Sequence, residues 1–269
     1  MPSADDPARV WGLPLAPVTF EQALDRIDGL IAAGRPSFFI TANLNYAMLA
    51  DADPRLRALN DRAAFVLADG MPLVWWSRLG ARPLPERVAG SDLIYGMCER
   101  AARHGHRVYL LGAAPGVADE AAAKLVEKYP GLKVVGVECP PYRKLTPAEE
   151  RAQVERIRAA RPDLLFVAFG QPKGELWIAD RLDDLGVPVC VQVGATLDFV
   201  AGRVRRSPKW MQKTGLEWVY RMLQEPRRLA GRYLDNVAFL VRAAFAPRFR
   251  RERRRADSLT SPARTADTT

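Results

Sequence analysis

Residues 163–194 read DLLFVAFGQPKGELWIADRLDDLGVPVCVQVG, and this stretch decides the fold. Two short apolar runs, Asp163–Gly170 and Val187–Gly194, flank a segment in which apolar residues recur every three or four positions. Runs of this kind predict strands that are buried on both faces, and Glu175–Leu185 between them predicts a helix. A strand, a helix and a second strand in this order form a βαβ unit, whose strands are parallel and whose crossover is right-handed.

The same alternation extends over most of the chain. Four further strands are predicted, at Ser37–Thr41, Ala64–Ala68, Arg107–Gly112 and Leu132–Val137. Four further helices are predicted, at Asn43–Leu59, Ser91–His104, Val117–Tyr129 and Pro147–Ala160. Ser91 and Thr146 are the predicted N-caps of two of them. The expected fold is α/β, a Rossmann-like, mostly parallel sheet with helices on both faces.

The composition is that of one globular domain, or of one domain with an appendage. The chain has 269 residues, of which 48% are hydrophobic and three are cysteine. These values exclude a disordered chain and a disulfide scaffold, and no apolar run reaches membrane-spanning length. The N-terminal segment MPSADDPARV has acidic residues where a signal peptide would carry positive charge, so a cytoplasmic protein is expected.

The net charge of +9 is unevenly distributed along the chain. Residues 1–202 hold 23 Lys and Arg against 25 Asp and Glu, whereas residues 203–255 hold 16 against 4. We therefore predict three parts: an α/β domain over 1–202, a basic amphipathic helical appendage over 203–246, and a basic, disordered tail over 247–269. A basic surface of this kind implies an anionic partner.

Aromatic and basic side chains alternate in the predicted appendage, where Arg221, Arg228 and Arg232 accompany Trp210 and Trp218. Three interpretations are open. Basic aromatic helices can lie on a membrane surface, with arginine stems reaching lipid phosphates. They can also be an ordinary helix pair packed on the domain, or they can bind nucleic acid. No helix-turn-helix, RRM or zinc pattern accompanies the charge, so we expect no nucleic-acid partner.

Polar residues follow the first two predicted strands. Ligands of parallel sheets bind at the carboxyl ends of the strands, so these positions are candidates for a site. Thr41 ends the first strand and Asn43 follows it, and both could either cap the next helix or line a site. Asp69 directly follows AFVLA and begins an Asp-Gly pair, which suits a turn and a general base equally well.

Two glycine-containing loops follow later strands. Gly112 opens the loop GAAPG, where backbone amides could approach a phosphate at a helix N-terminus. The loop fits neither the dinucleotide fingerprint nor the P-loop pattern, which argues against a nucleotide-dependent oxidoreductase. Gln171 and Lys173 lie in the loop GQPKGE, where the lysine could contact an anion. A plain strand-to-helix turn is the other interpretation of this loop.

Metal-ligating patterns are weak in this sequence. Asp51 and Asp53 resemble the carboxylate pair that holds a metal in many sugar-nucleotide enzymes, but they lie in a helical pattern before Pro54 and favour a solvated helix end. His104 and His106 have no Cys or carboxylate partner at ligand spacing. We therefore expect no metal site and no cofactor.

Eight strings of the chain, in order, resemble the WecG/TagA/CpsF family of bacterial glycosyltransferases. They extend from about residue 10 to 235 and read TANLNY, LADGMPLVW, ERVAGSDL, VYLLGAAPGVADEAA, KYPGLKVVG, PDLLFVAFGQPKGELWI, VGATLDFVAGRVRRSPKW and GLEWVYRMLQEPRRLAGRY. The resemblance implies that residues 1–202 form a catalytic domain. Its reaction would be an inverting, metal-independent transfer of a hexose-type sugar from a UDP-sugar to a polyprenyl-diphosphate-linked saccharide.

The implied sugar is N-acetylmannosamine, its uronic acid or glucuronic acid, and the implied process is cell-surface or exopolysaccharide biosynthesis. The enzyme would act as a peripheral protein on the inner face of the cell membrane. A homo-oligomer is possible, since an appendage that swings away would expose apolar surface. The alternative function is a non-catalytic α/β module that binds lipid phosphate at a membrane surface.

The resemblance also implies roles for single residues of the domain. Asp69 matches the general base, and Thr41 and Asn43 match the T-x-N motif of the active-site pocket. Arg87 matches the arginine that holds the diphosphate. Asp198, in GATLDF, matches a residue near the nucleoside.

The resemblance treats the appendage as a lid that contacts the membrane and closes the active site. Arg221 and Arg228 match basic residues of this appendage. Two positions depart from the family pattern. Gly174 stands where many members have glutamine in a P-K-Q-E string, and Gly231 precedes Arg232 where members have a pair of arginines. A substrate contact made by that glutamine must then be missing or supplied from elsewhere.

Overall fold

A computed structural model of the protein describes residues 6–246. Its strands are β1 (Ala8–Val10), β2 (Leu13–Leu15), β3 (Phe38–Ala42), β4 (Val66–Ala68), β5 (Arg107–Gly112), β6 (Lys133–Glu138), β7 (Leu164–Ala168) and β8 (Val189–Gln192). Its helices are α1 (Phe20–Ala33), α2 (Leu44–Ala52), α3 (Pro54–Arg62), α4 (Met71–Ser77), α5 (Gly90–His104), α6 (Val117–Lys128), α7 (Pro147–Ala160), α8 (Lys173–Leu185), α9 (Thr196–Ala201), α10 (Lys209–Lys213), α11 (Glu217–Gln224) and α12 (Pro226–Phe245).

The strands of the described residues form one sheet in the order β1-β2-β4-β3-β8-β7-β5-β6. β1 and β2 pair antiparallel at one edge, and all other neighbours are parallel. The predicted α/β fold with a mostly parallel sheet is confirmed. Because β3 and β8 lie at the centre, the carboxyl ends of β4, β3, β8 and β7 meet at the middle of one sheet edge, where ligands of such folds bind.

Apolar layers cover both faces of the sheet. Along β5, Val108 and Leu110 join one buried cluster, whereas Tyr109 and Leu111 join the other. This alternation follows from the two-residue period of a strand. Burying one such aliphatic side chain stabilises the fold by about 1.5–3 kcal/mol. Near-continuous apolar strands in the sequence therefore correspond to a sheet without a solvent-facing side.

The prediction of a single helix over Asn43–Leu59 was wrong, because the structure contains two helices there, α2 and α3. Asp53 is extended, with φ −111° and ψ 112°, and its side chain accepts a hydrogen bond from the backbone N–H of Arg55. Pro54, the first residue of α3, has no N–H to continue α2. An N-capping aspartate followed by proline starts a new helix. The apolar residues keep the same helical spacing on both sides of Asp53, so the spacing alone does not reveal that one helix ends and another begins.

The two predicted N-caps have different outcomes. Thr146 caps α7 in a full capping box with Glu149, as expected. Ser91 does not cap α5, which begins one residue earlier with Ala89 at the N-cap and without a side-chain cap. The backbone N–H of Gly90 instead donates a hydrogen bond to the side chain of Asp69.

The sequence did not predict the β1–β2 hairpin. Trp11 and Gly12 form its two-residue turn with φ values of 51° and 82°. Positive φ at both turn positions matches the twist of paired strands and strongly favours glycine or asparagine. Each strand has only three residues, which is too short to show a period, and tryptophan is an unusual residue at such a turn.

The appendage packs against the α/β domain through α12. Phe239 is 2% exposed and contacts Trp11 in a T-shaped arrangement with ring centroids 5.6 Å apart. The buried face of α12 includes Leu229 and Ala243, whereas Val237 is 51% exposed. No helix within residues 6–246 has the length and apolar content to cross a bilayer. The predicted tail, 247–269, lies outside the described residues.

Candidate active site

A cavity of about 580 Å³ lies at the carboxyl edge of the sheet, between the α/β domain and the appendage. Residues that end or follow β3, β4, β7 and β8 line the domain side, among them Thr41, Asn43, Asp69, Gln171 and Gln192. Helices α11 and α12 line the other side, with Glu217, Trp218, Arg221, Arg232 and Tyr233 among the contributing residues. A cavity of this size suits a nucleotide-sized ligand.

Asp69 is held at the floor of the cavity by backbone hydrogen bonds. Its N–H donates to the carbonyl oxygen of Ala42 at 2.8 Å, which continues the β3–β4 pairing past the strand end. Its carboxyl group accepts a hydrogen bond from the backbone N–H of Gly90, the first residue of α5. A helix N-terminus favours a carboxylate at this position. These two hydrogen bonds therefore fix the orientation of the Asp69 carboxyl group.

The pKa of Asp69 is raised to about 7, chiefly because the carboxyl group is buried. The positive charge of Arg87 and the hydrogen bond from Gly90 lower it, whereas the negative charges of Glu217 and Asp92 raise it further. A base is most useful when its pKa lies near the working pH. Asp69 therefore lines the cavity with a pKa close to neutral pH.

Arg87 connects the domain to the appendage beside Asp69. Its Nη1 donates to Oε2 of Glu217 at 3.0 Å, and its Nη2 lies 3.9 Å from Oδ2 of Asp92. Arg206, from the appendage, also pairs with Asp92. The sequence predicted Arg87 but gave Glu217 no role, because the two residues are 130 positions apart. The only feature of the sequence that could have pointed to Glu217 is its place in the string GLEW.

Thr41 and Asn43 both line the cavity. The side chain of Asn43 accepts a 3.0 Å hydrogen bond from the N–H of Tyr46 and caps α2, so the capping interpretation is correct for this residue. The carbonyl oxygen of Thr41 accepts a 3.2 Å hydrogen bond from Nε2 of Gln171. This hydrogen bond joins the ends of β3 and β7 beside the cavity.

Several amide and carboxyl oxygens in this region are buried. Within the described chain, no hydrogen-bond partner is present for Oε1 of Gln171, Oε2 of Glu175 or either amide atom of Gln192. Burial raises the pKa of Glu175 to about 7, and hydrogen bonds from its own backbone and from Gln171 only partly offset this. Neither Gln192 nor Glu175 was among the residues predicted from the sequence. The available signal was a lone polar residue at the end of the apolar strand VCVQ.

The sequence model of the glycosyl transferase WecG/TagA/CpsF family matches residues 8–254. The chain belongs to this family. It is similar to a protein of Bacillus spizizenii, the N-acetylglucosaminyldiphosphoundecaprenol N-acetyl-beta-D-mannosaminyltransferase. The two are 33% identical over 192 residues, which cover 71% of this chain and 73% of the relative. The family resemblance inferred from eight ordered strings is confirmed.

Three residues that the sequence proposed for substrate binding do not line the cavity of this WecG/TagA/CpsF family member. Gly112 has φ +104°, and a Cβ there would lie 2.9 Å from the carbonyl oxygen of Ala168, so close packing against β7 requires glycine. Lys173 is exposed, with Nζ 5.5 Å from the ring centroid of Phe169. Asp198 lies on α9.

The predicted arginines of the appendage are only partly described. Arg221 and Arg232 line the cavity, and the guanidinium carbon of Arg221 lies 5.4 Å from the ring centroid of Phe199. Arg228 lies on α12, and its side chain is outside the part of the chain that the structure describes. The cavity therefore contains cationic groups from both the domain and the appendage.

The acidic pair singled out in the sequence has a structural role at Asp53. Its carboxylate caps α3 and pairs with Arg55 at 2.9 Å, as the helix-end interpretation expected. Among residues 6–246, no three His, Cys, Asp or Glu side chains come together as a metal site would require.

Proposed function

We propose that the protein is an inverting, metal-independent glycosyltransferase. It moves a hexose-type sugar, in the first place N-acetylmannosamine, from a UDP-sugar to a polyprenyl-diphosphate-linked saccharide in cell-surface polysaccharide synthesis. Family membership and the activity of the Bacillus relative support this proposal. The observation that carries it is Asp69, a carboxyl with a pKa of about 7 that faces a cavity beside Arg87.

The reaction needs one base on the acceptor side of the sugar. The carboxylate of Asp69 takes the proton of the acceptor hydroxyl as that oxygen attacks C1 of the donor sugar. The bond between C1 and the β-phosphate oxygen breaks, and UDP leaves with the bonding pair, so the anomeric configuration is inverted. General-base assistance of this kind accelerates a reaction by about 10²–10⁴-fold.

Arginine side chains supply the positive charge that the leaving group requires. As C1–O cleavage proceeds, negative charge develops on the β-phosphate of UDP. The positive charge of Arg87 acts on Asp69, and Arg221 and Arg232 line the same cavity from the appendage. Bidentate guanidinium–phosphate hydrogen bonds stabilise such charge in the transition state. Arg87 must then exchange its hydrogen bond to Glu217 for hydrogen bonds to the incoming diphosphate.

The appendage provides a surface for the membrane that holds the acceptor lipid. Apolar side chains are exposed along α12 at Leu234, Val241 and Phe245, and Trp210 is exposed on α10. The segment also carries most of the excess positive charge. Amphipathic helices with this combination bind anionic lipid surfaces. We therefore propose a peripheral position on the inner face of the cell membrane.

Turnover with defined donors and a defined acceptor tests the proposed function. The purified full-length protein is mixed with UDP-N-acetylmannosamine, its uronic acid or UDP-glucuronic acid, and with N-acetylglucosamine linked to a polyprenyl diphosphate. Mass spectrometry of the lipid product reports the transferred sugar. We expect transfer from UDP-N-acetylmannosamine. Vesicle binding without transfer from any donor and without affinity for UDP would favour the non-catalytic lipid-phosphate module.

A further inference from the structure

Gln192 is a buried residue in the wall of the cavity. It is the last residue of β8, it is 4% exposed, and it lines the cavity. Neither its Oε1 nor its Nε2 has a hydrogen-bond partner within the described chain. Buried amides without partners are unfavourable, and their presence beside a cavity indicates a group that a ligand satisfies.

Gly174 creates the space in which the amide of Gln192 lies. Gly174 is the second residue of α8 and is buried. A Cβ at this position would be only 2.7 Å from both Cδ and Oε1 of Gln192. The amide of Gln192 therefore fills the volume that a side chain from position 174 would enter. Positions 174 and 192 therefore compete for the same volume.

The amide lies on the side of the cavity where the reaction occurs. Gln171, four positions before the buried Glu175, hydrogen bonds to the carbonyl oxygen of Thr41. Thr41 in turn abuts Gly90, since a Cβ on Gly90 would lie 3.1 Å from Oγ1 of Thr41. The N–H of Gly90 donates to the carboxyl of Asp69. These contacts link Gln171, which follows β7, to the proposed base, and Gln192 at the end of the neighbouring strand β8 lines the same cavity.

We propose that Gln192 is a specificity-determining residue that binds the sugar of the donor, in place of the side chain that Gly174 lacks. Its Nε2 donates to, and its Oε1 accepts from, the uncharged hydroxyl or acetamido groups of the sugar. Oε1 of Gln171, which also has no partner within the described chain, lies at the same strand ends and completes the amide pair. This inference rests on the proposed function, since it assigns a residue to the donor of that reaction.

Two variants test the assignment. Gln192→Met keeps the volume of the side chain and removes both polar atoms, so the core remains filled. The double variant Gly174→Gln with Gln192→Gly moves the amide from β8 to α8. Calorimetry measures the affinities of UDP and of UDP-N-acetylmannosamine for each protein, and thermal denaturation checks that each is folded.

We expect Gln192→Met to weaken binding of the UDP-sugar about tenfold, the effect of one or two hydrogen bonds, and to leave binding of UDP unchanged. The double variant should recover most of this loss. An equal loss for UDP and UDP-sugar would overturn the sugar assignment, and so would an unchanged UDP-sugar affinity in Gln192→Met. Wild-type protein that binds no UDP-sugar would instead contradict the proposed function, and this inference with it.

Discussion

Glu217, on α11 of the appendage, accepts a 3.0 Å hydrogen bond from Arg87 of the α/β domain. Both residues act on Asp69: the charge of Arg87 lowers the pKa of that carboxyl, and the charge of Glu217 raises it. The appendage thus contributes directly to the protonation of the proposed base. Its docking is therefore linked to the pH dependence of the reaction.

Replacing Glu217 with glutamine should lower the pKa of Asp69. Glutamine keeps the shape and the hydrogen-bond acceptor but removes the negative charge that raises this pKa. Asp69 must be ionised to accept a proton, so activity is lost as the pH falls through its pKa. The acidic limb of the kcat/KM profile, expected near pH 7 in the wild type, should therefore move to lower pH in Glu217→Gln.

A matched control for this prediction is Asp235→Asn, which removes an exposed carboxylate from α12 of the same appendage. Its acidic limb should coincide with that of the wild type. A limb that stays in place or moves upward in Glu217→Gln would contradict the coupling between the appendage and Asp69.

Replacing Arg87 with lysine should weaken binding of the diphosphate. Lysine keeps the charge but loses the planar fork that forms two hydrogen bonds to phosphate oxygens. A hydrogen bond to a charged group contributes about 1.5–3 kcal/mol, so affinity for UDP should fall about 10–100-fold while affinity for uridine changes little. Calorimetry with both ligands measures this. Arg82→Lys, at an arginine that pairs with Asp6 near the N-terminus, is the control and should bind UDP normally.

Replacing Asp69 with asparagine should reduce turnover about 10²–10⁴-fold, because the amide cannot take the acceptor proton. Affinity for UDP should remain. Stability provides an independent check. Since the folded-state pKa of Asp69 is raised from 3.8 to about 7, ionising this group destabilises the fold as the pH rises through that interval. Asp69→Asn should therefore melt at a higher temperature than the wild type at pH 8 and show no such gain at pH 3.5. Wild-type turnover in this variant would refute the base assignment.

Transfer should continue in the presence of EDTA. The proposed mechanism neutralises the leaving diphosphate with guanidinium groups, of which Arg87, Arg221 and Arg232 face the cavity. Initial rates measured with excess EDTA, and again after adding Mg²⁺ or Mn²⁺, should agree with each other. Complete loss of transfer with EDTA and its recovery with a divalent ion would contradict this mechanism. Such a result would indicate a metal ion held by carboxylates such as Asp51.

The sheet could be predicted from the sequence because its signal is local. Each central strand is a short apolar run that is buried on both faces, and the run itself indicates the strand. The boundary between α2 and α3 and the short strands β1 and β2 were harder to predict. Asp53 ends one helix and caps the next without interrupting the apolar period, and the three-residue strands beside Trp11 and Gly12 have no period to detect.

The candidate site could be predicted only in part, because strand order is a property of the whole fold. Gly112 is the last residue of β5, which is separated from β8 by β7, so the loop that it opens lies away from the central strand ends. Asp69 and Asn43 follow β4 and β3 and do reach the cavity. Glu217 and Gln192 depend on contacts between distant segments, namely appendage with domain and α8 with β8, which no local pattern reveals.

The exposed apolar side chains of α12 should contribute to membrane binding. Leu234 and Val241 are 71% and 55% exposed, and neither lines the cavity. Replacing both with serine removes apolar area that would enter the lipid boundary, where burial of each such side chain is worth about 1.5–3 kcal/mol at most. Sedimentation with anionic vesicles should therefore show affinity reduced about tenfold or more, with transfer to a short-chain, water-soluble acceptor unchanged.

The control for membrane binding is Val126→Ser, which removes an exposed apolar side chain from α6 of the α/β domain. It should bind vesicles as the wild type does, because α6 lies outside the basic appendage. Raising the salt concentration should weaken wild-type binding, since the arginine contribution is screened and the apolar contribution is not. If the Leu234 and Val241 replacements left vesicle affinity intact, α12 would not be the membrane-facing helix, and its apolar side chains would need a different partner.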